Sequence, residues 1–126
     1  MNSENTTPTT EETRNQNREF IIRNLESRIE GEQNTVDRFK ATFESDPLYA
    51  CEWGHGVFEA VALISVYKKV VEMLRESGID LALDTAKREA MHSARYPSFS
   101  TSVTSNLIHQ FQGSAWAKVA DDLSWL

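Results

Sequence analysis

The stretch "PLYACEWGHGVFEAVALISVYKKVVEMLRES", residues 47–77, decides the fold. One apolar stripe runs through Ala50, Trp53, Val57, Ala60, Ile64, Tyr67, Val71 and Leu74, in steps of three and four residues. Ala62, Val66, Val70 and Met73 form a second stripe beside it, and Val61 and Leu63 widen the arc. The spacing is helical, and a helix apolar over more than one face is buried by several neighbours. Residues 47 to about 77 are therefore expected to form the central helix of an all-α protein. Asp46 or Ser45 supplies the N-cap, and Pro47 suits the first helical position. Gly78 is a left-handed C-cap, with Ile79 folding back onto the last turn.

Upstream of that helix, Ile22, Leu25, Ile29, Val36, Phe39 and Phe43 make a heptad seam, with Glu32 at the skipped position. Gly31 costs about 1 kcal/mol against alanine inside a helix, and Glu32 places a carboxylate on the seam. One long helix from Arg18 is expected, with a bend near Gly31; a break into two helices is the alternative. Pro47 disfavours helical geometry at Asp46 and ends the first helix.

Downstream, Asp80 caps a third helix that runs to about Arg95, with Leu83, Ala86, Ala90 and Ala94 along one side. Pro97 stops it. The connector "SFSTSVTSN", residues 98–106, leads to a last helix capped by Thr104 or Ser105. That helix carries Ile108, Phe111, Ala115, Val119 and Leu126 on one face. No repeat and no strand pattern is visible. The expected architecture is an antiparallel bundle of about four helices with a long N-terminal helical hairpin. The first two helices approach 30 residues, roughly 45 Å each, and the last two are shorter. Part of the hairpin should then stay uncovered in a single copy, which points to self-association or a partner surface.

Residues 1–17 are rich in Thr, Asn and Glu, and read as a disordered tail. Residues 18–126 read as one helical domain. No apolar run reaches the ~20 residues a membrane-spanning helix needs. The N-terminus lacks the basic and apolar pattern of a leader, and Cys51 is the single cysteine. A cytoplasmic setting without membrane contact is the expectation. The net charge is −6, with 19 acids against 13 bases. General nucleic-acid binding is disfavoured, because phosphate neutralisation needs clustered bases.

Two Glu-x-x-His pairs, Glu52 with His55 and Glu89 with His92, place carboxylate and imidazole one helical turn apart. Glu59, one turn beyond His55, adds a further metal ligand. Two such pairs, with a glutamate from each of two other helices, make the ligand set of di-iron carboxylate bundles. Here the pairs lie on consecutive helices and the last helix has no glutamate, so the order departs from that arrangement. A transition metal is expected only under this alternative; otherwise no cofactor is.

Arg88 and Arg95, with Lys87 and His92, precede a hydroxyl-rich loop and could hold an anion. The same bases also complement a helix dipole. Gly54 and Gly56, four residues from Ala50 and Ala60, are read as small positions that admit a neighbouring backbone. No P-loop, dinucleotide fingerprint or nucleophile elbow is present, and Cys51 has no base in view.

The expected function is non-enzymatic: a protein–protein interaction module, such as an adaptor, regulator or inhibitor, that acts through an apolar helical face and self-associates. Its anchors would be the large aromatics Phe39, Phe43, Trp53, Tyr67 and Trp125. The alternative is a metal-binding helical protein or enzyme built on the two Glu-x-x-His pairs.

Overall fold

The computed structural model describes residues 10–95 and 102–124, without the side chains of Thr10, His55, Arg95, Val103 and Thr104. Every regular element among them is helical: α1 Thr10–Ser45, α2 Pro47–Glu52, α3 Gly54–Glu76, α4 Ile79–Arg95 and α5 Val103–Leu123.

α1 is one continuous helix through Gly31, and it starts at Thr10 rather than Arg18. Glu11 and Glu12 sit in its first turn, where carboxylates complement the helix dipole. Arg14 reaches Asp80 at 2.6 Å, which ties this early turn to the start of α4. Of the segment read as a tail, residues 10–17 are thus helical and residues 1–9 lie outside the described residues.

Pro47 opens α2, and Asp46 Oδ1 accepts a hydrogen bond from the Tyr49 N–H at 3.2 Å. The expected single helix 47–77 is then interrupted at Trp53, whose backbone leaves the helical region at φ −121° and ψ 23°. Around it the hydrogen bonds tighten to three-residue spans, with Trp53 N–H donating to Ala50 C=O and Gly56 N–H to Trp53 C=O. The glycines do not serve close packing: a Cβ added at Gly54 or Gly56 meets nothing within 4 Å. They weaken the helix at the point where it turns. The buried small residues nearby are Ala50, Ala60 and Ala62.

Gly78 takes φ +92°, a conformation that costs glycine nothing. Its N–H and that of Ser77 both donate to Met73 C=O. Ile79 is buried directly after it, as the C-cap reading requires. α5 begins one or two residues before the expected cap, with Ser102 Oγ accepting from the Ser105 N–H at 3.2 Å.

α3 is the hub, packing against α1 along its length, against α5, and to a lesser extent against α4; α4 packs chiefly on α5. The core joins Ile22 and Leu25 of α1 to Val66, Val70 and Leu74 of α3, to Ala82 and Ala86 of α4, and to Ala115, Val119 and Leu123 of α5. Burying each of the larger aliphatic side chains contributes about 1.5–3 kcal/mol. Trp116 is buried in the same core. α4 and α5 have 17 and 21 residues against 36 in α1. The α1 seam is buried at Ile22 and Leu25, half-buried at Ile29, Val36 and Phe39, and exposed at Phe43. The far end of the hairpin projects beyond its cover.

No helix among the described residues is long and apolar enough to cross a membrane.

Candidate functional site

At that projecting end, α1 runs out, α2 folds across it, and the break at Trp53 begins α3. Phe39 packs against Phe43 with ring centroids 6.0 Å apart, and against Trp53 at 5.4 Å with the rings nearly perpendicular. The T-shaped contact brings the positive edge of one ring to the negative face of the other. The three rings belong to elements on either side of α2, so they hold the break in place.

Outside this base the surface stays apolar. Leu48 is 83% exposed, Tyr49 56% and Phe43 46%. Leu48 and Tyr49 follow Pro47, and Ala50 is the buried residue of α2. A helix of six residues that buries one alanine must present its other side chains outward. Cys51 is exposed on the same short helix. Glu44, Asp46 and Glu52, all exposed, lie along this end of the chain.

The expected anchors therefore divide. Phe39, Phe43 and Trp53 come together at one end of the molecule. Tyr67 does not join them: at 2% exposure it is a core side chain, with the Arg28 guanidinium over its ring at 5.9 Å. It belongs to the same buried cluster as Val66 and Val70. Trp125 lies outside the described residues. Leu48 and Tyr49, absent from the expected set, are the more exposed apolar groups. Their signal was adjacency to Pro47 in a first turn whose length the sequence left open.

The metal-ligand candidates are distributed differently from their spacing. Glu52 ends α2 and His55 lies in the first turn of α3, with non-helical Trp53 between them. The i, i+3 argument for a shared face does not hold across that break. The His55 side chain lies outside the description. Glu89 and His92 share α4, and both are exposed, as are Glu52 and Glu59. Among the described residues, no three metal-capable side chains gather. The anion candidate Arg88 donates to Asp84 on its own helix at 3.1 Å. The Arg95 side chain and residues 96–101 lie outside the description.

One polar contact braces the hairpin against α5. Arg28 donates to Asp122 Oδ2 at 2.9 Å in a part-buried pair. Burial alone would lower the Arg28 pKa; the Asp122 hydrogen bond and charge, with Tyr67, outweigh it and hold it above its ordinary value. Glu32 sits half-buried on α1. Burial raises its carboxyl above the usual range, and the Glu59 charge adds to this while Lys118 opposes it. The glycine that does admit a neighbour is Gly113, where an added Cβ would lie 2.7 Å from Ser93 Cβ. It marks a close approach of α4 and α5 and borders a cavity of about 490 Å³. Nε2 of His109 is buried at that seam, with no hydrogen-bond partner among the described residues.

Compared with protein-family models, curated proteins and solved structures, the chain finds no match.

Proposed function

We propose that the chain is a protein-interaction module whose contact surface is the aromatic end of the α1–α2–α3 hairpin. The observation that carries this reading is the exposure of Phe43, Leu48 and Tyr49 around the α1–α2 junction, where Phe43 packs on Phe39 and Phe39 on Trp53. Single exposed apolar residues are ordinary on protein surfaces. A contiguous apolar patch rimmed by charged side chains marks contact with another molecule. Large aromatics set on a rigid base lose little conformational entropy on docking, which favours them as anchors.

A second copy or another protein covers this end, and the chain acts by holding it rather than by chemistry. Sedimentation across a concentration range, together with crosslinking in extracts of the source cell, tests the reading. The native chain should form a dimer or a discrete crosslinked complex, and the triple variant F43S/L48S/Y49S should lose it while staying helical. A native chain that is strictly monomeric and forms no complex counts against the reading, as does a complex that survives the triple substitution.

A further inference from the structure

A second surface lies away from the aromatic end, and the geometry points to a basic amphipathic helix of another protein as its occupant. Between α1 and α3 runs an open groove of about 720 Å³. Each helix contributes one face over two turns. α1 presents Glu26, Ile29, Glu30 and Gln33; α3 presents Lys68, Val71, Glu72 and Arg75, with Glu76 beyond. Ile29 and Val71 form an apolar floor, and carboxylates stand on both walls. Arg28, which reaches Asp122 on α5, and Glu30 are separated by about 200° around α1. The groove thus opens on the side of the hairpin that α5 leaves uncovered.

Its charge selects the occupant. Four carboxylates face two cations, and the Glu26–Arg75 pair at 2.9 Å neutralises one of each. Glu30, Glu72 and Glu76 remain against Lys68. Glu26 with Glu30 and Glu72 with Glu76 are like-charge pairs at i, i+4, a spacing that disfavours a free helix. A helix carrying an apolar stripe over Ile29 and Val71, with Lys or Arg on both flanks, would fill the floor and relieve those pairs. The chain cannot supply such a segment from its undescribed parts, since residues 1–9, 96–101 and 125–126 contain no Lys or Arg.

The test uses the intact chain and labelled synthetic peptides of about 18 residues, or five helical turns. One places leucine at helical spacing with lysine on both flanks. A second scrambles the same composition, and a third replaces lysine with glutamate. In fluorescence anisotropy the first peptide should bind and the other two should not. E30Q/E72Q/E76Q should weaken binding about tenfold, as three surface charge contacts would. E11Q/E19Q/E89Q, which removes equal charge elsewhere, should change it less than about twofold, and L48S should leave it unaltered. All six glutamates are exposed, so both triple variants keep the fold. Equal binding of the scrambled peptide, or equal losses in the two triple variants, would reduce the effect to general charge attraction and overturn the proposal. Self-association of the native chain that E30Q/E72Q/E76Q abolishes would overturn it in favour of a second copy in the groove. Failure of L48S to alter self-association bears on the aromatic end alone.

Discussion

Phe39 on α1 and Trp53 at the α2–α3 break meet edge to face, 5.4 Å between ring centroids and 86° between planes. This contact ties the last turns of α1 to the residue at which the central helix breaks. Its loss should loosen the end of the hairpin before the core. A double-mutant cycle with Phe39→Leu and Trp53→Leu should give a coupling of about 0.5–1.5 kcal/mol in urea denaturation. Hydrogen exchange of residues 46–56 should rise more than that of residues 66–74. Additive substitutions would show that the rings are neighbours without being partners.

The glycines separate by sign. Gly31 sits mid-helix with nothing within 4 Å of an added Cβ, so Gly31→Ala should stabilise the chain by about 0.5–1 kcal/mol through helix propensity. Gly113→Ala drives a methyl group against Ser93 Cβ and should cost about 1–3 kcal/mol as overpacking. Thermal denaturation of the two variants side by side checks both. Equal shifts would contradict the α4–α5 approach described above.

How much of this was legible in the sequence follows from what each feature depends on. Local rules sufficed where the cause is local. Asp46 before Pro47 caps α2, and Gly78 takes a positive φ because the chain reverses there. The apolar periodicity correctly placed Val66, Val70 and Leu74 in the core. The break at Trp53 was not legible, because the three-and-four spacing continues across it unchanged. Gly54 and Gly56 fit a close packing as well as a turn, and only the space around them decides. Tyr67 and Phe43 look alike as large aromatics on seams. What separates them is burial: Tyr67 is enclosed in the core, whereas Phe43 at the end of α1 is exposed. Gly113 carried no signal, since its meaning depends on Ser93 of another helix.

The ion pairs should differ in worth. Arg28–Asp122 is part-buried over the Tyr67 ring, and Asp122→Ala should cost about 1–2 kcal/mol by leaving the guanidinium without its acceptor. Arg88–Asp84 is exposed within one helix, and Asp84→Ala should change stability by less than about 0.5 kcal/mol. A larger loss at Asp84 than at Asp122 would reverse the account of how α5 is held.

Glu32 gives a pH signature. Its folded carboxyl is raised above the unfolded value, first by burial and then by Glu59. The native state therefore holds its proton longer, and the group's contribution to stability falls as pH rises from the ordinary carboxylate range through the raised value. Glu32→Gln should raise the melting temperature at pH 7, and the gain should shrink as pH drops towards about 4. A gain that grows on acidification would contradict the shift.

The most direct test of the aromatic end as a contact surface is hydroxyl-radical footprinting of Phe43, Leu48 and Tyr49, read by mass spectrometry. In dilute purified chain these side chains should label strongly, in keeping with their exposure. Inside the source cell, labelling at all three should fall several-fold while exposed Met91 on α4 keeps its reactivity. Equal labelling of the three residues in both settings, against a constant Met91, would show that nothing docks there and would contradict the account.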